Sequence, residues 1–240
     1  MIRRLLAGWV SPGDVSRLES TDADIRCPRC DTPAKVSYYS GIMRAHCPRC
    51  ADGIAGDRER TEVSGYHPGQ APFLGMSVPP TGLVGENPAE AFRAAFVYFY
   101  SRVRTHLAGS CPTCARRVTS TIDIQGDPAP TTDTPELERH DPLALVRTVC
   151  STCKTHVTVP VRRAIQTQPA VAAFYHERGI DHRFLSWRTY RQSWTYDEEV
   201  LSEDPVRVRV TVPCDDERLK LTVNEELSVL AERRHVLSTS

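Results

Sequence analysis

Eight of the nine cysteines in this chain fall into four C-x-x-C pairs, and that spacing restricts what the chain can fold into more than any other feature. Cys27-Pro-Arg-Cys30 is followed after sixteen residues by an identical tetrad, Cys47-Pro-Arg-Cys50. The pattern returns as Cys111-Pro-Thr-Cys114 and, thirty-five residues on, Cys150-Ser-Thr-Cys153. Two such pairs bring four soft thiolates to one point, the tetrahedral donor set that Zn²⁺ prefers. The expected sites are Cys27/Cys30/Cys47/Cys50 and Cys111/Cys114/Cys150/Cys153, each with one structural Zn²⁺; only Cys214 is left over. Tandem C-x-x-C spacing argues for reduced, metal-bound thiolates in a cytosol and against disulfides.

The same pattern argues against catalysis. A catalytic zinc needs an open coordination position, and an all-cysteine quartet is closed. The chain carries no G-x-S-x-G elbow, P-loop, H-E-x-x-H or Gly-rich dinucleotide turn, and no deaminase signature. Thirty basic residues balance thirty acidic ones, so no long-range field gathers nucleic acid, and any polyanion site must be a local patch. No apolar run approaches the roughly 18–20 residues of a membrane span. The apolar run of the opening Met1–Val10 is broken at Gly8 and ends at Ser11-Pro12, too short for a signal peptide.

In chain order, Ile2 to Val10 reads as the end of a helix and Ser11 to Asp24 as a polar linker. The first predicted zinc ribbon has a strand over Ala34–Ser40, a turn at Gly41 and a return strand over Ile42–His46. With four cysteines filling the tetrahedron, His46 reads as a strand-end surface histidine. Asp57 to Glu86 is a Gly- and Pro-rich irregular connection, with His67 exposed on it. Asn87-Pro88-Ala-Glu90 opens a helix that runs to Ala108 and stops at Gly109. Phe92, Phe96, Phe99, Val103 and Leu107 recur at helical spacing as its buried stripe, widened by Tyr98 and Tyr100.

The second ribbon follows, with strands over Arg117–Ile124, Leu143–Val149 and Thr155–Val161 around a polar insertion at Gln125–Asp141. His156 reads as a surface residue and not as a ligand. Arg162–Gln168 and Pro169–Gly179 are short helices. Phe184, Trp187, Tyr190 and Trp194 then alternate with Arg183, Arg188 and Arg191, a packed aromatic cluster in the first instance and a stacking platform for single strands in the second. Val206–Val212 and Arg218–Val223 alternate as a hairpin with its turn at Pro213–Glu217, where Cys214 sits unpaired; Glu225–Val236 is a further strand or a fraying helix. The fold class is therefore α+β, two tetra-cysteine zinc ribbons joined by a long amphipathic helix and followed by a helix plus antiparallel hairpin. The regions are 1–25, 26–56, 57–109, 110–160 and 161–240.

One combination is similar to a known family. The Leu-Ala-Gly8 helix end, the Cys27–Cys50 ribbon with its Tyr-rich hairpin and the Phe-bearing helix leading into Cys111/Cys114 come first. Cys150/Cys153, Pro169 to Tyr175, Gly179-Ile-Asp181 and Leu201 to Asp204-Pro-Val-Arg-Val complete it. In that order they resemble the part that follows the winged helix in haloarchaeal transcriptional regulators of the ArsR type. The resemblance covers nearly the whole chain. It departs in that only Ile2–Val10 stands where a winged helix precedes, and in a neutral charge where halophilic members are acidic.

The resemblance implies a cytoplasmic, zinc-stabilised, non-catalytic module for sensing or assembly. Dimerisation or small-molecule recognition would run through the Phe92–Leu107 helix and the Phe184–Trp194 cluster, with a second copy or a winged-helix protein as partner. A free-standing nucleic-acid-binding ribbon protein is the alternative, with Arg29, Arg44, Arg49 and Arg191 on phosphate. A thiol redox switch through zinc release is the third.

Overall fold

The structure, a computed structural model, describes residues 17–50, 72–125, 142–182 and 187–237. The chain divides into two compact units, 1–100 and 101–240. The expected helix end at Ile2–Val10, His67, most of the Gln125–Asp141 insertion, and Arg183 and Phe184 lie outside the described residues.

The first unit is built on an antiparallel sheet in the order β1-β2-β3-β4: Arg17–Arg26, Pro33–Tyr39, Ile42–His46 and Pro72–Ser77. β2 and β3 form the hairpin expected from sequence. Its two turn residues, Ser40 and Gly41, take φ of +49° and +80°, and a turn with both central residues at positive φ matches the twist of the strands it joins. The register sets Val36, Ala45 and Leu74 in one cross-strand row and Tyr38, Met43 and Met76 in the next. All six are buried, and the Tyr38 hydroxyl donates to the Val78 carbonyl at 2.9 Å.

Three expectations are corrected in this sheet. The linker ending at Asp24 is instead strand β1, whose Ala23 and Ile25 are buried between exposed Asp22, Asp24 and Arg26. That alternation is a half-buried edge strand, although its acids make it look like solvated chain. The connection expected from Asp57 to Glu86 contains β4, which covers the far side of β3. His46 is consequently interior, at 3 % exposure, and not a surface residue: β3 is flanked on both sides and buried on both faces.

Helix α1 spans Pro88–Leu107, from the first unit into the second. Asn87 Oδ1 accepts the Glu90 N–H at 3.0 Å while the Glu90 carboxylate accepts the Glu86 N–H and the Asn87 side-chain amide, a reciprocal cap. At the other end Ser110 N–H reaches the Thr105 carbonyl and Gly109 N–H that of His106. The left-handed residue this closure demands is Gly109, at φ +83°. At 20 residues it is a moderate helix and not a long amphipathic one. Its buried positions are Ala91, Phe92, Ala95, Phe96, Tyr100, Val103 and His106, while Phe99 and Leu107 of the expected stripe are half-exposed. The buried face is shifted toward Ala91, Ala95, Tyr100 and His106 and away from Phe99 and Leu107.

The second unit holds two antiparallel sheets. One is β5-β6-β7, Val118–Ile124, Ala144–Cys150 and His156–Pro160. The other has the order β11-β10-β9-β8, with β8 Asp197–Glu203, β9 Val206–Cys214, β10 Glu217–Asn224 and β11 Val229–Val236. Between them in sequence come α2 Val161–Ala164, α3 Pro169–His176 and α4 Trp187–Gln192. Val208/Val223, Val210/Leu221 and Val212/Leu219 face each other fully buried on β9 and β10. The hairpin expected at the C-terminal end is thus the middle of a four-stranded sheet, and Glu225–Val236 supplies strand β11. Cys214 is not in the turn: it is the buried last residue of β9, and Asp215-Asp216 make the turn.

Glu198 on β8 joins three segments of this unit. Its Oε2 accepts the Leu143 N–H and its Oε1 the Arg162 N–H, both at 2.8 Å, and the Arg162 guanidinium lies 3.8 Å away. Charged side chains are almost never fully buried unless paired, and here both partners are. In the described part of the basic-aromatic stretch Arg188 is exposed, while rings pack inward. Tyr190, Trp194 and Tyr196 are buried, Arg163 lies over the rings of Tyr190 and Trp194 at 4.1 and 4.9 Å, and Trp187 stacks on Tyr190 at 4.9 Å. These rings are engaged within the unit. Among the described residues no helix is long and apolar enough to cross a membrane.

Candidate metal centres

Each unit contains one cysteine quartet. In the first, Cys27 and Cys30 follow β1, and Cys47 and Cys50 follow β3. In the second, Cys111 and Cys114 follow α1, Cys150 ends β6 and Cys153 lies in the turn before β7. The hairpins make these meetings: pairing β5 to β6 sets Val118 opposite Cys150, so the start of one strand carries Cys111 and Cys114 to the end of the other. Cys111, Val118 and Cys150 form a small buried cluster with Cys114 against it.

Three of the four pairs share one local geometry. The N–H of the first cysteine bonds the carbonyl five residues on, and the N–H four residues on bonds back: Cys27 with Thr32 and Asp31, Cys111 with Arg116 and Ala115, Cys150 with Thr155 and Lys154. Asp31, Ala115 and Lys154 accordingly take φ of +57°, +57° and +61°. This tight loop aims both sulfurs of a pair to one side and turns backbone amides onto them. The amides of Arg29, Thr113 and Cys50 donate to Cys27, Cys111 and Cys47 Sγ, each at 3.4 Å.

The sulfur spacings fit a tetrahedron. In the first quartet the contacts are 3.8 Å for Cys27–Cys50, 3.5 Å for Cys30–Cys47 and 3.4 Å for Cys30–Cys50. In the second, Cys111–Cys153 and Cys114–Cys150 are both 3.5 Å. All four sulfurs of each quartet lie within 4.8 Å of one another, and none is in a disulfide. A tetrahedral metal with bonds of about 2.3 Å places its sulfurs about 3.8 Å apart. Both quartets could therefore hold a metal ion.

The thiol acidities spread as expected for acids in contact. Burial pushes Cys27 up to about 11. Burial also opposes ionisation of Cys30, but the Thr32 hydroxyl and amide outweigh it and bring that thiol down to about 6. Cys153 comes down to about 6 through the Thr155 hydroxyl and amide, while Cys114, despite an amide bond from Arg116, is pushed up to about 12 by burial and its cysteine neighbours. Each ionised sulfur makes the next harder to ionise, so four thiolates in this space require a cation. Thr32 and Thr155 are partners of the cysteine sulfurs that spacing alone overlooked. Their Oγ1 atoms lie 3.3 Å from Cys30 Sγ and 2.9 Å from Cys153 Sγ. The readable signal is C-x-x-C-x-T, present at Cys27–Thr32 and again at Cys150–Thr155.

The histidines beside the quartets are not among the clustered ligand atoms. Burial, with Lys35 nearby, lowers His46 below the usual imidazole range, and His156 is exposed. Of the four arginines considered for phosphate, Arg44 is buried, Arg49 is exposed, and Arg29 and Arg191 are half-buried. The Phe92–Phe96 part of the helix stripe lies in the interior of its own unit.

Fold and site together define an α+β chain with two tetra-cysteine centres, one in each unit. The chain belongs to the family described as DUF7351, a domain of unknown function, whose model matches residues 24–229 and so takes in all eight paired cysteines. No curated protein and no solved structure matches the chain.

Proposed function

We propose that the chain is a zinc-binding, non-catalytic regulatory module, similar to the sensing and dimerisation part of an archaeal ArsR-type regulator. The observation that carries it is the convergence of two all-sulfur quartets at tetrahedral spacing. Tetrahedral sites of four sulfurs suit Zn²⁺ or iron, and zinc ribbons built on β-hairpins are the structural use of such a site. Cys27, Cys30, Cys47 and Cys50 would hold one ion, and Cys111, Cys114, Cys150 and Cys153 the other. Bound zinc supplies a cross-link, and its binding free energy becomes folding free energy. The coordination sphere is filled by protein sulfur, which leaves no position for substrate. The order of ribbon, helix, ribbon and C-terminal sheet supports the regulatory half of the reading. Native mass spectrometry tests the whole: two zinc ions per chain are expected, with loss of structure on chelation. A folded chain that carries no metal refutes it.

A second reading has its own observation. Around the second quartet, residues 101–125 and 142–158 contain Arg102, Arg104, Arg116, Arg117, Arg147 and Lys154 against a single acid, Asp123. Arg104, Arg116, Arg117, Arg147 and Lys154 are exposed, although the intervening sequence 126–141 adds five acids against Arg139. This exposed cluster would give nucleic-acid affinity that falls steeply with added salt. A salt-independent or absent interaction removes this reading and leaves the first.

A further inference from the structure

We propose that the free edge of β11 pairs with the same strand of a second copy of this chain, antiparallel and centred on Arg233. The two four-stranded sheets then join into one. β11 is the last strand in the order β11-β10-β9-β8, so among the described residues its outer edge bonds no strand. The Leu237 N–H turns inward to the Asp216 carbonyl at 2.7 Å. Strand alternation then directs the N–H and C=O groups of Val236, Arg234 and Glu232 outward, a ready template for another strand. All eight residues of β11 are exposed. Of the eight large apolar side chains exposed among the described residues, four lie in this one stretch: Val229, Leu230, Val236 and Leu237.

Charge selects the partner and the register. Two copies related by a two-fold axis normal to the sheet must set one residue opposite itself. Centred on Glu232, the ladder opposes two carboxylates; centred on Arg234, it sets Glu232 opposite Val236 and leaves no opposite-charge pair. Centred on Arg233, it sets Glu232 opposite Arg234 twice. It also sets Leu230 opposite Val236 and Val229 opposite Leu237, so the four large exposed apolar side chains of the stretch meet in pairs. Two features oppose this register. Arg233 faces its own copy, on the face that carries Lys220, and the ladder is bulged near Leu230. Arg234 already bonds Glu177 and approaches Glu232 in its own chain, so a contact with the second copy's Glu232 would be shared with these. Charges on an edge usually block pairing; here Glu232 and Arg234, two residues apart on one face, carry opposite signs, and that pair specifies the register. The opposite edge differs. β8 carries exposed Asp197, Glu199 and Glu203 with no basic residue, and paired to itself it would repel.

The inference gives the regulatory reading a partner but stands on the sheet edge alone. Sedimentation velocity on the full zinc-loaded chain tests it, together with cross-linking. A concentration-dependent dimer is expected. Glu232→Lys, which sets two like charges opposite, and Leu230→Lys should each weaken it by about tenfold or more. Both positions are exposed, so zinc content should not change. With Arg233→Cys, residue 233 faces itself at a Cα separation of about 4.5 Å, and mild oxidation should give a covalent dimer. Glu232→Cys, offset from its own copy, should not. A monomer at every concentration, a dimer indifferent to both lysine variants, cross-linking of Glu232→Cys as efficient as that of Arg233→Cys, or assembly growing past the dimer would overturn the proposal. A zinc-loaded monomer would leave the metal reading intact, and a metal-free dimer would do the reverse.

Discussion

Replacing Glu198 by alanine should destabilise the second unit far more than its place on an acidic strand suggests. Its carboxylate is 2 % exposed and Arg162 6 %, so neither charge has water to fall back on. The substitution orphans two interior backbone amides, those of Leu143 and Arg162, each bonded at 2.8 Å, and removes a buried carboxylate 3.8 Å from the Arg162 guanidinium. Bonds to a charged acceptor contribute about 1.5–3 kcal/mol each. Breaking a buried pair from one side costs about 3–5 kcal/mol, and that is the expected loss. Glu198→Gln keeps one good acceptor but turns an amide NH₂ toward the other N–H, so about 2–3 kcal/mol is expected. Glu199 is the internal control: 59 % exposed and paired with Arg209 at 2.9 Å, it should cost less than about 1 kcal/mol when changed to alanine. Urea denaturation of the zinc-loaded chain reads all three, with a melting shift of roughly 10 °C for Glu198→Ala. A Glu198→Ala chain within about 1 kcal/mol of wild type would show that this carboxylate does not hold the unit together.

Three further outcomes follow from the geometry. Burial lowers His106, helped by the charges of Arg102 and His156, and burial likewise lowers His182. The unfolded chain then binds protons more readily, so this contribution is complete above about pH 6.5 and is lost as pH falls through the lowered folded values. The drop in denaturation midpoint from pH 7.5 to 5.5 should shrink in His106→Gln; an equal drop would refute it. Cys27→Ser should leave one zinc per chain, since the quartets lie in separate units, and loss of both ions would contradict that separation. Asn87→Ala removes a cap bonded at 3.0 Å and should cost about 1 kcal/mol by thermal melting, whereas no change would mean that Glu90 alone sustains the helix start.

Both quartets were legible in the sequence because a C-x-x-C pair is a local signal, and the hairpins between the pairs followed from alternation and Gly41. The cap at Asn87 and the stop at Gly109 were legible for the same reason: each is written within four or five residues. What escaped was long-range. β1 and β4 are strands only because β2 and β3 are there to pair with, and Asp22-Ala-Asp-Ile-Arg26 carries too much charge to declare itself. His46 became interior through β4, which lies 26 residues further on and across a segment with no strand pattern. Glu198 looked like one acid among four on β8, and nothing nearby in sequence announces that its partners are Leu143 and Arg162. The basic-aromatic stretch was ambiguous because a cation–π pair built inward and a stacking platform facing outward use the same residues; at Tyr190 and Trp194 the cations over the rings, Arg162 and Arg163, come from another helix.

The central claim is that two all-sulfur quartets each hold one zinc ion, and X-ray absorption at the zinc edge of the purified chain tests it most directly. The account predicts two zinc ions per chain, each with four sulfur neighbours at about 2.3 Å and no nitrogen or oxygen in the first shell. A mixed shell with histidine nitrogen, iron in place of zinc, or a folded chain whose paired cysteines are disulfides would contradict it.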